Sequence, residues 1–323
     1  MIENGMDNRT DVKMLCVVGP TASGKSALAV QLAKALDGEV ISCDSMQLYR
    51  GMDIGTAKST QEEMDGIPLH LTDVFDIHEP FCVTDYTALA EEAVRDVASR
   101  GHVPIFCGGT GLYIDTFVKG LAIAEYDNVP GVREELEAYA KKNGAAALHD
   151  RLRDVDPASA DAIEPNNVRR VVRALEVYRS TGVPASELNR RSVENARPKR
   201  ALYIGLAYHD RAALYERIDR RVDVMMSAGL LDETKRLVDC GLRETKTAGQ
   251  AIGYKEFYPY LDGEASLDEC VAVLKAHSRQ YAKRQMTWFT RNPAVHFLYR
   301  DELDDTALSR AACTLADDFL AAE

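Results

Sequence analysis

Short apolar runs alternate with amphipathic stretches along the first third of the chain. MLCVVG (14–19), EVISCDS (39–45) and VPIFCGG (103–109) are the apolar runs, and each predicts a buried strand. Between them, SALAVQLAKAL (26–36) and TDYTALAEEAVRDVASRG (84–101) carry apolar residues at helical spacing. Strands that alternate with helices in this way predict a doubly wound parallel sheet.

The apolar pattern changes after Gly120. From about 130 to 190 the apolar positions fit helices only, whereas ALYIGLAY (201–208) restores a strand pattern that further helices follow. This order predicts an α/β core that is interrupted by an all-helical insertion. The predicted limits are 1–120 for the first part of the core, 121–200 for the insertion and 201–323 for the second part of the core.

Composition narrows the class of protein only a little. The 323 residues are 46% hydrophobic and 28% charged, ordinary values for one or two globular domains. A net charge of −12 argues against a protein that coats nucleic acid indiscriminately, although a local basic surface stays open. No apolar run approaches the roughly 18 residues that cross a bilayer, so we expect no membrane partner and a cytoplasmic location. The seven cysteines include no C-x-x-C pair, which disfavours a structural zinc site.

A glycine-rich loop follows the first predicted strand. GPTASGKS matches the pattern G-x4-G-K-[ST], in which backbone N–H groups surround an anion, the lysine adds a positive charge and the serine hydroxyl can bind Mg²⁺. The predicted diphosphate-binding loop consists of Gly19, Pro20, Thr21, Ala22, Ser23, Gly24, Lys25 and Ser26. Because a strand precedes the loop and a helix follows it, we predict a P-loop NTPase-like fold for the core.

The acid that normally completes a nucleotide-hydrolysing P-loop site has no clear counterpart in this sequence, because no strand candidate is an unbroken apolar run followed directly by Asp. Instead Asp44 ends the second predicted strand and Thr110 follows the third. The carboxyl ends of parallel strands meet at one edge, so we expect both side chains beside the loop phosphates. A helix cap or turn role remains the alternative for each residue.

Seven motifs, in this order along residues 14–292, resemble the bacterial-type tRNA dimethylallyltransferase family. They are GPTASGKS, DSMQLYRGMDIGTAK, GGTGLY, IEPNNVRRVVRALEVYRSTG, RIDRRVDVMMSAGLLDE, QAIGYKE and QYAKRQMTWFTRN. In that family the loop holds the diphosphate of dimethylallyl diphosphate. The resemblance therefore implies a prenyltransferase rather than an enzyme that hydrolyses a nucleotide.

The resemblance implies transfer of a dimethylallyl group to N6 of adenosine 37 in tRNAs that read codons starting with U, with release of diphosphate. Asp44 would then be the general base. Lys25, Thr110 and Arg221, with Mg²⁺ on Ser26, would stabilise the charge on the leaving group. Arg217, one helical turn before Arg221, is a further candidate for diphosphate binding, and ion pairs of both arginines with Asp219 or Asp223 are the alternative.

The tRNA anticodon stem-loop is the second partner that the resemblance implies. The candidate contacts are Asp44, Ser45, Met46, Gln47, Thr110, Arg169, Arg170, Val171, Val172, Arg173, Arg279, Lys283 and Arg284. Gln47 suits this role because an amide can pair with the edge of adenine. For the arginines of 169–173, a solvated helix face paired with Glu176 or Glu164 is the alternative.

Three other functions remain open on the sequence alone. A small-molecule kinase shares the loop and the sheet but leaves DSMQLYRGMDIGTAK unexplained. An adenylate isopentenyltransferase that acts on free AMP or ATP has little use for the basic helical insertion. A non-catalytic RNA-binding regulator would not need Lys25, Asp44 and Thr110 together. We expect a monomer.

Overall fold

The computed structural model describes residues 12–124, 126–127 and 129–322. The chain divides into two compact units. The core unit comprises Met1–Val118 and Lys199–Glu323, and the helical unit comprises Lys119–Pro198. The domain limits expected at 120/121 and 200/201 lie close to this division and stay a prediction.

The core unit is built on one six-stranded sheet. The strands are β1 (Met14–Val18), β2 (Gly38–Ser42), β3 (Leu69–His70), β4 (Val103–Gly108), β5 (Ala201–Ala207) and β6 (Val295–Tyr299). Their order is β3-β2-β4-β1-β5-β6 and every neighbouring pair is parallel. The predicted doubly wound parallel sheet is thus confirmed. The apolar pattern did not predict the edge strands β3 and β6.

Helices cover both faces of this sheet, which explains the continuous apolar runs in the strands. The helices of the core unit are α1 (Lys25–Leu36), α2 (Gln61–Met64), α3 (Val83–Ser99), α4 (Gly111–Val118), α10 (Arg211–Ser227), α11 (Leu230–Asp239), α12 (Tyr258–Leu261), α13 (Leu267–Phe289) and α14 (Asp305–Ala321). Met14, Cys16 and Val18 of β1 pack in a core with α3, α4 and α13. Leu15 and Val17, which point the other way, pack with α1 and α14.

The helical unit has its own core. Its helices are α5 (Val132–Asn143), α6 (Ala145–Val155), α7 (Pro157–Ala162), α8 (Val168–Thr181) and α9 (Ala185–Glu194). Leu136, Leu148, Leu152 and Val171 are among the buried residues that hold these helices together. No strand occurs in the described residues of this unit, as the helical spacing predicted.

No described helix combines the length and the apolar character that a bilayer span requires.

The carboxyl ends of β2 and β4 approach each other closely where Gly108 meets Cys43. A Cβ atom on Gly108 would lie 2.0 Å from the Cys43 carbonyl oxygen. Cys43 directly precedes Asp44, so a side chain at Gly108 would displace the backbone that carries this carboxylate.

We expect Gly108→Ala to lower the free energy of unfolding by about 3 kcal/mol or more, because the new Cβ meets backbone that has little room to move. Urea unfolding measures this loss. Gly101→Ala is the matched control: its Cβ meets no atom within 4 Å and its φ of +84° adds only left-handed strain, about 1–2 kcal/mol. Equal stability of the two variants would contradict the steric argument.

Candidate active site

The glycine-rich loop joins β1 to α1 in a conformation that favours glycine at two positions. Gly19 has φ +140° and a Cβ there would lie 2.5 Å from the Leu206 carbonyl oxygen of β5. Gly24, with φ 92°, is the N-cap residue of α1 and makes no side-chain cap bond. The first N–H groups of α1 therefore have no side-chain acceptor at this cap, as an anion site at a helix N-terminus requires.

Ser23 supports an anionic ligand at the same loop. The residue is fully buried, and its Oγ has no hydrogen-bond partner among the described residues. A buried hydroxyl without a partner costs free energy, since it loses water and gains nothing. A phosphate oxygen in the loop would supply the missing acceptor.

Lys25 lies at the centre of this loop. Its Nζ donates a hydrogen bond of 2.6 Å to the Pro20 carbonyl oxygen. Burial of the ammonium lowers the pKa of Lys25 from 10.5 to about 8; Arg221 adds to this shift, while Cys107 and Asp44 oppose it. The residue keeps some solvent exposure, but its charged end lies in the desolvated part of the site.

Asp44 and Thr110 meet at the carboxyl edge of the sheet, beyond β2 and β4. Asp44 Oδ1 accepts from the Met46 N–H at 3.0 Å, and Thr110 Oγ1 accepts from the Ser45 N–H at 3.2 Å. The Thr110 N–H donates to the Cys43 carbonyl oxygen at 3.2 Å. Burial raises the pKa of Asp44; the Met46 N–H and the charges of Lys25 and Arg221 oppose this shift.

Two arginines of α10 face the loop. Arg217 Nε donates to the Ala22 carbonyl oxygen at 3.0 Å, and Arg221 lies within 3.4 Å of both Thr21 Oγ1 and the Ala57 carbonyl oxygen. Burial lowers the pKa of Arg221, while the Asp44 carboxylate raises it.

The alternative for these arginines, ion pairs with Asp219 or Asp223, is not what the structure shows. Asp219 pairs with Arg279 at 2.5 Å, and Asp223 pairs with Lys275 at 2.6 Å. Asp219 and Asp223 are thus both engaged by α13, and the guanidinium groups of Arg217 and Arg221 remain on the loop side.

Several of these groups line one cavity. Among its lining residues are Lys25, Ser26, Asp44, Gln47, Arg221 and Gln285. Thr110 directly follows Gly108 and Gly109, which also line the cavity. The structure therefore brings together Lys25, Asp44 and Arg221, which lie far apart along the chain.

Two residues of α13 that sequence reasoning missed hold this site together. Gln285 is buried; its Oε1 accepts from the Thr21 N–H at 2.8 Å and its Nε2 donates to the Gly109 carbonyl oxygen at 3.1 Å. Tyr281 lines the same cavity and lies near the side chain of Thr110. The i, i+4 spacing of Tyr281 and Gln285 was visible in QYAKRQ, but nothing local showed which surface they face.

Met46 and Gln47, which follow Asp44, make contacts within the protein. Gln47 Oε1 accepts from Ser42 Oγ at 2.8 Å, and Gln47 Nε2 donates to the Thr56 carbonyl oxygen at 3.2 Å. Both ends of the amide are thus engaged, which leaves it less suited to pair with an adenine edge than we expected. Met46 packs against the core.

In the helical unit, the predicted basic segment divides into exposed and buried positions. Arg169 and Arg170 are exposed and form no side-chain ion pair within the described residues. Arg173 donates to Glu176 at 2.8 Å, as the alternative interpretation expected. Val171 and Val172 are 0% and 1% exposed, which corrects the expectation that they reach a ligand. Their side chains belong to the core because they point inward from α8.

The basic residues of α13 also differ in availability. Arg279 is engaged by Asp219. Lys283 and Arg284 are exposed, and the Arg284 guanidinium lies 5.6 Å from the centre of the Tyr281 ring. A surface for an anionic ligand on this helix would therefore use Lys283 and Arg284.

Comparison with known proteins decides the family. A family model described as IPP transferase matches residues 47–292, and one described as isopentenyl transferase matches residues 12–78. The tRNA dimethylallyltransferase of Halalkalibacterium halodurans is 48% identical over 292 residues, which cover 90% of this chain and 92% of that protein. The one from Bacillus subtilis is 47% identical and covers 89% and 91%.

The chain belongs to the IPP transferase family.

Solved structures agree with this family assignment. The full-length tRNA isopentenylpyrophosphate transferase from Bacillus halodurans aligns with a TM-score of 0.72 and 45% identity over 95% of this chain and 96% of that one. A eukaryotic dimethylallyltransferase, described as acting on tRNA, aligns with a TM-score of 0.81 and 31% identity over 96% of this chain and 79% of that one. The P-loop-like core and the family inferred from the seven motifs are confirmed.

The lowered pKa of Lys25 predicts a pH dependence of anion binding by this family member. The ammonium form attracts the anion and dominates below about pH 8. As the pH rises through this value, the affinity for pyrophosphate falls, by up to about tenfold per pH unit. Calorimetric titration of wild type and Lys25→Met measures it, because the ratio of their affinities removes the ionisation of pyrophosphate itself. A ratio that stays constant from about pH 7 to pH 9 would contradict the prediction.

Gln285→Ala removes both bonds between α13 and the two loops. We expect it to lower the free energy of unfolding by about 1–3 kcal/mol, because the Thr21 N–H and the Gly109 carbonyl lose their partner, and to weaken pyrophosphate binding. Urea unfolding and calorimetry measure the two effects. Gln280→Ala, on an exposed position of the same helix, is the control and should change stability by no more than about 0.5 kcal/mol. Equal behaviour of the two variants would refute the bridging role.

Proposed function

We propose that this protein transfers the dimethylallyl group of dimethylallyl diphosphate to N6 of adenosine 37 in tRNAs that read codons starting with U. Diphosphate is the other product. The observation that carries the proposal is that Asp44, Lys25 and Arg221 line the same cavity beside the P-loop. Burial raises the pKa of the Asp44 carboxyl group. The family of tRNA dimethylallyltransferases to which the chain is similar supports the same reaction.

Asp44 is proposed to activate the acceptor. The exocyclic amine of adenine is a weak nucleophile, so a base that takes its proton helps the N–C bond to form. As N6 attacks the allylic carbon, the bond from that carbon to the diphosphate oxygen breaks, and the N6 proton passes to Asp44. Burial raises the pKa of Asp44 and so makes its carboxylate a stronger base than an exposed one.

The leaving diphosphate collects negative charge as that bond breaks. The loop N–H groups, the Lys25 ammonium and the unpartnered Ser23 hydroxyl are proposed to bind its oxygens. Arg221, with Arg217 beside it on α10, would add a guanidinium to the same group. Thr110, whose Oγ1 accepts from the Ser45 N–H, is proposed to orient its hydroxyl toward the reacting atoms.

Mg²⁺ is the proposed cofactor, and the residues present fit it. The described residues contain no group of three or more His, Cys, Asp and Glu side chains that could hold a metal. Mg²⁺ commonly takes one or two protein ligands and the phosphates of the substrate, and the Ser26 hydroxyl on the first turn of α1 suits that arrangement. When bound, the ion would neutralise charge on the diphosphate.

The same cavity offers a place for the five-carbon group. Val40, Met64 and Leu69 supply apolar side chains to its lining. Transfer of an apolar group from water to such a surface is favourable, and the exclusion of water protects an allylic carbon from hydrolysis. These apolar residues in an otherwise largely polar lining suit the five-carbon group of a prenyl donor.

The anticodon stem-loop is the proposed acceptor partner. Arg169 and Arg170 of α8 and Lys283 and Arg284 of α13 are exposed cations that suit contact with RNA phosphates. A free nucleotide is too small to use so many. This observation disfavours an adenylate isopentenyltransferase, and neither it nor the kinase is supported by the relatives.

We expect Asp44→Ala to slow transfer by about 10²–10⁴-fold while tRNA binding persists, because the variant loses the base and keeps the phosphate contacts. Incorporation of labelled dimethylallyl into unmodified tRNA, with Mg²⁺ present and AMP and ATP as competing acceptors, measures it. Wild-type activity should also fall as the pH drops through the raised pKa of Asp44, because only its carboxylate form accepts the proton.

Asp318→Ala, an exposed position on α14, is the matched control and should keep wild-type activity. Label that enters AMP instead of tRNA would identify the protein as an adenylate isopentenyltransferase. No transfer to any acceptor would overturn the prenyltransferase proposal.

A further inference from the structure

Trp288 is the only tryptophan of the chain and it is 38% exposed. Large aromatic side chains are mostly buried in folded proteins. Trp288 instead lies near the end of α13 with part of its ring surface open to solvent. None of the roles described for the cavity uses it.

The ring is held in a fixed orientation. Its Nε1 donates to Asp115 Oδ2 at 3.1 Å, and Asp115, which is 8% exposed, also accepts from the Tyr203 hydroxyl at 3.1 Å. The ring lies so close to Gly111 that a Cβ there would be 2.2 Å from Trp288 Cδ1. An exposed ring that is already immobilised loses little conformational entropy when a ligand packs on it.

The Trp288 ring lies close to Thr110, one of the proposed site residues. Gly111, against which Trp288 packs, follows Thr110 in the chain. Leu112 is 48% exposed, and Arg284 lies one helical turn before Trp288 on α13 with its side chain exposed. We call Leu112, Arg284 and Trp288 the Trp288 platform. It combines apolar surface, a flat aromatic ring and a cation next to Thr110.

We infer that Trp288 stacks on a nucleobase adjacent to the acceptor adenosine in the tRNA anticodon loop. This inference rests on the proposed function. An adenine whose N6 must enter a cavity has to leave its stack, so its neighbour loses a stacking partner. A rigid indole at the rim would replace that partner and stabilise the extruded form of the loop.

An RNA base is a better occupant of the Trp288 platform than a protein surface. Arg284 and its exposed neighbour Lys283 supply cations of the sign that RNA phosphates require. The platform is also continuous, through Gly111, with the Thr110 turn that the acceptor must reach. A second copy of the chain, with its net charge of −12, would bring repulsion instead.

The first test uses the fluorescence of the single tryptophan. Addition of an anticodon stem-loop RNA to the full chain should quench Trp288 emission to an extent that saturates with RNA binding. Unchanged emission at saturating RNA would overturn the inference. A change that depends on protein concentration without RNA would place a second copy on the ring and would also overturn it.

The second test is a double-substitution cycle. Trp288→Leu should weaken binding of the stem-loop at least about fivefold, the loss expected for one stacked base, while Trp288→Phe keeps most of the affinity. The two nucleotides beside the acceptor adenosine are then made abasic, one at a time. Removal of the base that stacks on Trp288 should weaken binding to wild type, and removal of the other base should not. Removal of the stacking base should have little further effect on Trp288→Leu. Independent, additive losses at both nucleotides would refute stacking, since a merely structural tryptophan would produce them.

Val273→Ala, at another exposed apolar position of α13, is the matched control and should bind the stem-loop as wild type does. The Michaelis constant for dimethylallyl diphosphate should not change in Trp288→Leu, because the platform lies outside the loop that holds the donor. If wild type neither binds nor prenylates the stem-loop, the proposed function fails. If it does both while Trp288 emission is unchanged, only this inference fails.

Discussion

The parallel pairing of β1 between β4 and β5 is the constraint on which the rest of the molecule depends. Backbone hydrogen bonds in this arrangement bring the carboxyl ends of neighbouring strands to one edge of the sheet. The glycine-rich loop, Asp44 and Thr110 all begin where those strands end. Because Gly108 has no side chain, the carboxyl ends of β2 and β4 lie close together, next to Gly108 and Cys43. Asp44 and Thr110 therefore meet at the same edge of the sheet.

Desolvation sets the chemistry of that cavity. Burial lowers the pKa of Lys25 and Arg221 and raises the pKa of Asp44, so it disfavours all three charges. Attraction between Asp44 and the two cations opposes the effect without cancelling it. The site therefore combines a strengthened carboxylate base with cations whose charge an anionic ligand would stabilise. Activation of the acceptor and stabilisation of the leaving diphosphate, as proposed, both depend on this burial.

Helix α13 joins the parts of the site that the strands alone would leave apart. Gln285 bridges the P-loop and the turn after β4, and Tyr281 lines the cavity beside them. On the same helix Arg279 engages Asp219, which keeps this carboxylate away from the arginines of α10. Near the end of the same helix, Trp288 packs against Gly111. A single long helix thus contacts the P-loop, the turn that carries Thr110 and the proposed RNA side.

The sequence by itself determined the features whose signals are local. The P-loop pattern, the main strands and helices and the seven motifs all depend on neighbours along the chain, and the edge rule for parallel sheets was enough to bring Asp44 to the loop. Tertiary structure alone decided which partner each polar side chain found. The bridge from Gln285 to Thr21, the engaged amide of Gln47 and the exposure of Trp288 depend on contacts between distant segments. Short edge strands such as β3 were missed for the same reason, because their hydrogen bonds, not their apolar pattern, make them strands.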